Sequence, residues 1–292
     1  WDTAAARRYA VARGHEIASL AESETDRGRR MRRYDQSRRY LSRGLFLPEM
    51  FNKDLTDTKV RSALKGKIQA INRKVMRYNP GIPGVTAVYE IQPGIRPVQI
   101  VARESSVDEK NRLTVHAPGE GSGKQLAVGP NAIMWWNQGN FRSTSMRAGA
   151  KYVIPLEELT VHVDSKTYRL TLFIGDWFVK EFRVGIGRPD TPTPLGEFKV
   201  DSKEENPDWW YDGKLIRFGD PKNELGSRWI AIHGEELPLS AGIGIHGTNK
   251  PGTVGSRCSN GCVRLKNSDV NELFWWVRTG YKGGPATRIF IR

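Results

Sequence analysis

The segment from Gly244 to Leu265 constrains this chain more than any other, because it places a histidine and a cysteine next to short apolar runs. His246 follows such a run, as a residue at the end of a strand does. After a loop that contains glycine and proline, Cys262 follows Gly261 and precedes a second apolar run. A loop of this kind can fold back on itself, so we expect the imidazole to lie beside the thiol.

A cysteine beside a histidine is a pair of nucleophile and base. The imidazole removes the thiol proton, and the resulting thiolate attacks a carbonyl carbon. Gly261 allows the backbone to approach a substrate closely, because it has no side chain. The backbone N–H groups around Asn260, Gly261 and Cys262 are therefore predicted to hold the developing oxyanion. The hydroxyl of Ser259 is predicted to order this turn.

These residues resemble the catalytic domains of the YkuD-type L,D-transpeptidases, whose motif is His-Gly, a spacer and then Ser/Thr-x-Gly-Cys. In this chain Cys262 follows His246 by 16 positions (262 − 246), which suits that family. The resemblance continues upstream through Thr191–Phe198 and downstream through Lys266–Val270, and it covers residues 158–292. Several separate motifs in the family's order argue against a purely structural role for the cysteine.

The resemblance implies a two-step acyl transfer. Cys262 attacks the carbonyl of a diaminopimelate residue in a tetrapeptide stem, the terminal D-alanine leaves, and a thioester forms. A side-chain amine of another stem then resolves the thioester and makes a 3→3 cross-link. His246 acts as base and then as acid, and the backbone carbonyl of Gly247 fixes its tautomer. No metal or organic cofactor is implied, and carbapenem-type inhibitors are expected to acylate the same thiol.

Contacts to the substrate are expected from three places. An aromatic segment resembles the family's lid over the substrate crevice, and its Trp209, Trp210 and Tyr211 suit the flat amides and methyl groups of a peptide stem. Asn260 is the second candidate; many relatives have histidine there, and the change removes one polar contact but leaves the Cys–His pair intact. Arg264 is the third, and it either supports the loop or binds a substrate carboxylate through its planar guanidinium.

The pattern of the whole chain predicts a multidomain α+β protein in three parts. Residues 1–80 form a helical N-terminal segment, residues 85–156 a small βααβ module, and residues 158–292 a mainly-β catalytic sandwich of the YkuD type. Alternating apolar residues and regularly spaced turn residues predict the strands of the last part. We expect its strands to form two mixed sheets packed face to face. A Pro/Gly linker at residues 81–86 separates the first two parts.

The module at residues 85–156 resembles a LysM peptidoglycan-binding module, whose fold is strand, helix, helix, strand. The matching pieces are Tyr89–Gly94 at the start, Asn137 or Asn140 in the middle, and Ala148–Pro155 at the end. The Asp-Thr/Ser-Leu that usually follows the first glycine is replaced here, and residues 108–130 have the composition of an insertion. We therefore expect a degenerate module in which the fold persists, and binding to glycan strands stays open.

The N-terminal segment combines helix formers with many arginines. Five apolar residues at spacings of three and four predict a helix that begins after Asp57 or Thr58 and ends before Asn79: Val60, Leu64, Ile68, Ile71 and Val75. The arginines either make an electrostatic contact with the wall or a partner, or form a solvated helix face.

The formal net charge of +14 favours polyanionic surroundings such as nucleic acid, anionic lipid or acidic cell-wall polymer. The sequence contains no helix-turn-helix, zinc-finger or RNA-binding sheet motif, so nucleic acid is not an expected partner. No apolar run approaches the roughly 18 residues that a membrane span needs. The chain begins with Trp1 and not with Met, so we expect a processed or trimmed product, from which a signal peptide or membrane anchor could have been removed; neither is excluded. We expect the protein in the periplasm or at the cell surface of a bacterium.

The two cysteines, Cys258 and Cys262, are too few for a disulfide framework. Zinc is not expected, because only His233 and His246 lie nearby in sequence and no second cysteine pair completes a site. A disulfide between the two cysteines would block the nucleophile and act as a redox switch. Alternatively, Cys258 is a small loop residue.

The acceptor of the acyl group stays open. Water as acceptor would make the protein an L,D-carboxypeptidase, and an amine on an envelope protein would make it an enzyme that anchors proteins to peptidoglycan. A non-enzymatic alternative is a wall-binding scaffold whose transpeptidase domain has lost its activity. The intact His246 and Cys262 favour an enzyme over that scaffold.

Overall fold

A computed structural model describes residues 3–46, 58–78, 85–117, 123–137, 146–280 and 284–292. The chain forms two compact units, one of residues 1–82 with 173–179 and the other of residues 83–172 with 180–292. Most of the expected linker and Asn140 lie outside the described residues. The expected boundary between residues 85–156 and 158–292 stays a prediction, because both segments belong largely to the second unit.

The described part of the first unit contains the helices α1 (Thr3–Ser23), α2 (Arg27–Phe46) and α3 (Thr58–Tyr78). The predicted helix at α3 is confirmed at both ends, since it begins at Thr58 and ends directly before Asn79. Its apolar stripe is buried except for Val60 in the first turn, which is 45% exposed. The 3.6-residue period of the helix thus places the stripe in the core of this unit.

Arg38 shows that not every arginine of α2 lies on a solvated face. Its side chain is completely buried, and its guanidinium lies 3.2 Å from the ring centroid of Trp177. The two carboxylates of Asp35 and Asp176 lie 2.6 and 2.7 Å from its nitrogens. A buried charge is tolerated when it is paired in this way, so Arg38 acts as an internal contact of the unit.

The first segment of the second unit begins and ends with a strand. Strand β1 pairs antiparallel with β5, and the elements between them include two short helices. The segment contains, in chain order, β1 (Thr86–Glu90), α4 (Pro97–Ala102), β2 (Glu104–Val107), β3 (Leu113–Val115), β4 (Lys124–Gln125), α5 (Pro130–Trp136) and β5 (Lys151–Pro155). Strands β2, β3 and β4 form a small sheet between the helices, and its first strand begins at Glu104, before the expected insertion at residues 108–130.

Asn137 joins the second helix of this segment to its last strand. The side-chain amide donates to the carbonyl oxygens of Ile133 and Val153, at 2.7 Å each, and accepts from the N–H of Val153 at 2.8 Å. One side chain therefore completes the C-terminus of α5 and holds β5 against it. This contact gives Asn137 a structural role in the segment.

The rest of the second unit, together with residues 173–179, is rich in strands. These elements are β6 (Leu159–Asp164), β7 (Arg169–Ile174), β8 (Trp177–Arg183), β9 (Ile186–Gly187), β10 (Gly196–Glu205), β11 (Trp209–Tyr211), β12 (Lys214–Ile216), β13 (Arg228–His233), β14 (Gly244–His246), β15 (Arg257–Ser259), β16 (Val263–Arg264), α6 (Asn267–Trp276) and β17 (Arg288–Ile291). Short 3₁₀ turns at Leu239–Ala241 and Pro251–Thr253 precede and follow β14.

Eight of these strands form one curled mixed sheet in the order β16-β14-β13-β10-β17-β6-β7-β8. Within the described residues this sheet replaces the two face-to-face sheets that the sequence predicts. The reason is β10, which pairs with β17 through Gly196–Lys199 and with β13 through Lys199–Glu205. Its register shifts between Val200 and Lys203, and such a bulge bends a strand and increases its twist. β10 therefore joins β13 and β17 into one sheet.

Candidate active site

The pairing of β14 with β16 brings the histidine and the cysteine segments together. The two strands are parallel, with Ile245 opposite Val263 and His246 opposite Arg264. The N–H of Leu265 donates to the carbonyl of His246 at 2.8 Å, just beyond the pair. Cys262, the residue before β16, therefore lies in the register position next to Gly244. The loop between the strands folds back as the sequence predicts.

The thiol of Cys262 lies among backbone groups of the segment before His246. Its sulfur is 3.7 Å from the carbonyl oxygen of Gly242, and the backbone N–H of Gly244 also contacts it. Burial raises the pKa of the Cys262 thiol above its ordinary value, while the Gly244 contact and the charge of Arg264 act in the opposite direction. The thiol is therefore protonated in the resting enzyme at neutral pH.

His246 is buried, with only 3% of its surface exposed. Its Nδ1 lies 2.6 Å from the carbonyl oxygen of Gly247. A carbonyl can only accept a hydrogen bond, so Nδ1 carries the proton and Nε2 keeps the lone pair that a base requires. The resemblance implies this contact, and the backbone provides it at hydrogen-bond distance.

The pKa of His246 is lowered to about 4, mainly by burial and further by the charge of Arg264. The carbonyls of Gly247 and Leu225 and the carboxylate of Glu224 act in the opposite direction but do not cancel the effect of burial. The imidazole is therefore neutral at physiological pH. At neutral pH the thiol and the imidazole are thus both uncharged, and the imidazole can accept a proton.

The turn before the cysteine is held by Ser259. Its hydroxyl donates to the carbonyl of Cys262 at 2.6 Å and accepts from the N–H of Gly261 at 3.3 Å. Gly261 has φ +110°, a left-handed region that side chains disfavour, and a Cβ there would lie 2.9 Å from Cδ1 of Ile243. The Gly261 N–H is engaged with Ser259 in this state. Its use for an oxyanion would require exchange of that bond.

Arg264 is buried and paired with an acidic residue. Its Nη2 lies 2.9 Å from Oε2 of Glu224, and the other oxygen of Glu224 is 2.5 Å from Nζ of Lys250. Although burial acts to raise the pKa of Glu224, Lys250 and Arg264 hold it below its usual value. The ion pair favours the alternative in which Arg264 supports the loop. Binding of a substrate carboxylate by Arg264 would require the ion pair with Glu224 to open.

The three aromatic candidates lie on a small hairpin of β11 and β12, in which Trp209 is opposite Ile216. The rings of Trp209 and Tyr211 stack with centroids 4.5 Å apart. Trp210 lies between them in sequence and therefore points to the other face of the strand, where it is 71% exposed. The strand thus divides the predicted set into a stacked pair, of which Tyr211 is also exposed, and Trp210 on the other face.

Asn260 and Cys258 lie shortly before the nucleophile in sequence. Asn260 is exposed, so its side chain is accessible from solvent. Cys258, in β15, packs against the backbone of Gly185, where a Cβ would lie 2.5 Å from the sulfur. Both cysteines are free thiols in this state, and the redox switch stays a prediction.

Groups of three or more metal-ligating side chains do not occur among the residues that the structure describes. His233 lies at the end of β13, opposite Lys199 of β10, and not beside the cysteine segment. The site is built from the His246 and Cys262 segments and the backbone groups around them.

Asn267 contacts the backbone of the site, although the sequence indicates it only as part of a segment that matches the family. Asn267 is the first residue of α6, and its Oδ1 accepts from the N–H groups of Thr248 and Ser227 at 3.0 and 3.2 Å. An asparagine at a helix start is normally a local cap. Its partners here lie 19 and 40 positions away, so no local pattern predicts them.

A neutral imidazole fixed by a backbone carbonyl, together with a thiol directly before the neighbouring parallel strand, is the arrangement expected of a cysteine-dependent acyl transferase. A model of the L,D-transpeptidase catalytic domain, YkuD, matches residues 158–290. YqjB of Bacillus subtilis, which is named as an L,D-transpeptidase, is 38% identical over 131 residues, or 45% of this chain and 69% of YqjB. This chain belongs to the YkuD family of L,D-transpeptidase catalytic domains.

Other similar proteins carry the same description. YkuD of Bacillus subtilis is 33% identical over 129 residues, which are 44% of this chain and 65% of that protein. The solved catalytic domain of the E. faecium L,D-transpeptidase is 25% identical, with a TM-score of 0.36, over 47% of this chain and 98% of that chain. The matched region thus spans about two thirds of the curated relatives and less than half of this chain.

Proposed function

We propose that this protein is a peptidoglycan L,D-transpeptidase that forms 3→3 cross-links between stem peptides through a thioester on Cys262. One observation supports this most directly: Nδ1 of His246 lies 2.6 Å from the Gly247 carbonyl, on a strand that pairs in parallel with the strand after Cys262. The family membership of residues 158–290 agrees with this chemistry.

In the first step, Nε2 of His246 removes the thiol proton while the sulfur attacks the carbonyl carbon of the donor stem. Because the imidazole pKa is lowered to about 4 and the thiol pKa is raised, proton transfer is unfavourable until the carbon–sulfur bond begins to form. The imidazolium then gives its proton to the nitrogen of the leaving D-alanine as the carbon–nitrogen bond breaks. The product is the thioester.

In the second step, the amine of an acceptor stem attacks the thioester carbon. His246 removes a proton from this amine, a new amide bond forms, and the carbon–sulfur bond breaks. The proton returns to the sulfur, so the neutral pair of thiol and imidazole is restored. The N–H of Cys262, and that of Gly261 once it leaves the Ser259 hydroxyl, would hold the oxyanion in both steps, where such donors contribute most.

The aromatic hairpin and the loop residues supply candidate contacts to the stems. We infer that Trp209, Trp210 and Tyr211 provide flat apolar surface on the two faces of β11. Asn260 would offer a polar side chain next to the nucleophile, and Arg264 would hold the loop through Glu224. These roles follow from position and chemistry, and each is open to substitution experiments.

We further propose that residues 85–156 are a degenerate LysM-like module and that the protein works in the bacterial envelope. The module assignment is supported by the order of β1, α4, α5 and β5 and by the antiparallel pairing of β1 with β5. The location is supported by the substrate, which is part of the cell wall. None of the helices that the structure describes is long and apolar enough to cross a membrane.

The decisive experiment incubates the protein with purified disaccharide-tetrapeptide and analyses the products by mass spectrometry, with Cys262→Ala as the control. A dimer that has lost one D-alanine and carries a 3→3 bond supports the proposal. A tripeptide formed by addition of water, without dimer, would replace it by L,D-carboxypeptidase activity. A carbapenem adduct on the wild type and not on Cys262→Ala would show that the thiol is acylatable. If neither product nor adduct forms with folded protein, the inactive scaffold is favoured.

A further inference from the structure

One peptide group of the active site is held from both of its sides. The carbonyl of Gly247 contacts Nδ1 of His246 at 2.6 Å, and the N–H of the following residue, Thr248, donates to Oδ1 of Asn267 at 3.0 Å. This carbonyl and this N–H belong to the same planar peptide unit, so they rotate together. Asn267 therefore contacts the group that orients the imidazole without touching the imidazole itself.

The same oxygen of Asn267 also holds a second segment. It accepts from the N–H of Ser227 at 3.2 Å, and the neighbouring Arg228 provides the carbonyl that accepts from the N–H of Gly247 at 3.1 Å. The Gly247 backbone is thus fixed through its N–H and through the next peptide. Together these bonds leave the carbonyl of Gly247 with little freedom to turn away from His246.

The packing around Oδ1 of Asn267 explains two glycines. A Cβ added at Gly247 or at Gly226 would lie 2.2 Å from this oxygen. Gly226 also has φ +67°, so a side chain there would be strained in any case. Glycine after the catalytic histidine is required here because the asparagine occupies the space of a side chain.

We propose that Asn267 is a positioning residue that holds the Gly247–Thr248 peptide and thereby keeps His246 in the tautomer with the proton on Nδ1. The importance of this tautomer for acyl transfer rests on the function proposed above. The tautomer itself is a property of the free protein, so it is measurable without any substrate.

Asn271 provides a matched control on the same helix. It lies one turn after Asn267, and its Oδ1 accepts from the hydroxyl of Ser227 at 2.7 Å. Asn271→Ala therefore removes a bond between α6 and the same loop but leaves the Thr248 N–H bonded to Asn267. A general loss of helix packing would affect both variants, whereas loss of the held peptide affects only Asn267 variants.

The test measures the ¹⁵N resonances of His246 in protein labelled at histidine, together with the acylation rate of Cys262 by a carbapenem. In the wild type and in Asn271→Ala we expect a single tautomer with the proton on Nδ1. In Asn267→Ala we expect a mixture of tautomers and a fall of about 100-fold in acylation rate, the size that misplacement of a catalytic group produces.

Asn267→Asp provides the second variant in case the alanine variant does not fold. A carboxylate oxygen still accepts both N–H groups, so the tautomer should be kept. The added negative charge near the site should raise the pH at which His246 titrates. A folded Asn267→Ala with one tautomer and wild-type acylation would overturn the proposal, as would an unchanged His246 titration in Asn267→Asp. Failure of the wild type to cross-link stems would contradict only the proposed function.

Discussion

Arg264 lies directly opposite His246 in the parallel pairing of β14 and β16, and its charge acts with burial to lower the imidazole pKa to about 4. The same guanidinium acts to lower the thiol pKa of Cys262, but burial outweighs it there. One arginine thus favours the neutral imidazole and the thiolate at the same time. Burial decides the resting state of the thiol, so the pair is neutral.

The neutral pair predicts how the free enzyme reacts with iodoacetamide. Because the thiol pKa is raised, the thiolate fraction should keep increasing with pH above the ordinary range of a cysteine. The alkylation rate of Cys262 should therefore rise steadily from pH 7 to pH 10 without a plateau near neutrality. Mass spectrometry of the labelled peptide separates Cys262 from Cys258, and Cys262→Ser gives the background. A plateau between pH 5 and pH 8 would instead reveal an ion pair of thiolate and imidazolium.

The buried histidine also predicts a pH dependence of stability. The pKa of His246 is about 4 in the folded protein and about 6.5 in the unfolded chain, so the unfolded state binds more protons between these values. The free energy of unfolding should therefore fall as pH drops from about 6.5 to about 4, by about 3 kcal/mol for this group. Burial also lowers the pKa of His162 to about 4, so His162 should likewise reduce the free energy of unfolding as the pH drops.

Urea unfolding at pH 7.5 and pH 4.5 checks this prediction. In His246→Gln the loss of stability between the two pH values should be smaller than in the wild type, and the remaining loss should include the contribution of His162. An equal loss in the wild type and in His246→Gln would show that the imidazole is not buried in its neutral form.

Gly261→Ala should impair acylation by changing the backbone of the turn. The residue has φ +110°, which costs an alanine on the order of 1–3 kcal/mol, and a Cβ would lie 2.9 Å from Cδ1 of Ile243. If the turn shifts to relieve this strain, one oxyanion donor is misplaced and the acylation rate should fall by about 10²-fold. The rate with a carbapenem measures the effect in stopped-flow experiments.

The double variant Gly261→Ala with Ile243→Ala separates the two sources of strain. Trimming Ile243 removes the close contact but leaves the backbone conformation unfavourable. We therefore expect the double variant to stay slow. Full recovery of the acylation rate would mean that the contact with Ile243, and not the backbone conformation, is what excludes a side chain.

The predictable part of the site is the part that is continuous in sequence. His246, Gly247, Ser259 and Cys262 lie in one segment, and the pairing of its two short strands follows from the local pattern of apolar residues and turns. Asn267 was not predictable as a partner of this segment, because nothing in its own neighbourhood distinguishes it from a helix cap. Its partners Thr248 and Ser227 lie 19 and 40 positions away in sequence, so these contacts depend on the tertiary fold.

The same limit applies to the fold. The α3 helix was predicted, because its apolar period and its stop signal are local. The single curled sheet was not, because it depends on β10 pairing with two partners that are distant in sequence. The burial of Arg38 likewise depends on Asp176, 138 positions away, so an arginine in a basic helix could not be recognised as an internal one.

The ion pair of Arg264 and Glu224 predicts an unequal effect of two charge removals. Arg264 is 7% exposed, so Glu224→Gln leaves the buried guanidinium charge without its carboxylate partner. Removal of one partner from a fully buried ion pair costs about 3–5 kcal/mol. Glu224 is 27% exposed, which reduces the effect, and we expect a loss of about 2–3 kcal/mol. Lys250 is 57% exposed, so Lys250→Met should cost less than about 1 kcal/mol.

Urea unfolding at pH 7.5 compares the two variants, and the acylation rate shows whether the pair also supports the nucleophile loop. Because Glu224 acts to raise the imidazole pKa, its removal should lower the pH at which His246 titrates. Equal losses of stability in Glu224→Gln and Lys250→Met would contradict the assignment of Arg264 as the buried member. Binding of a substrate carboxylate by Arg264 would instead appear as a lower KM in Glu224→Gln, since the guanidinium would then be released.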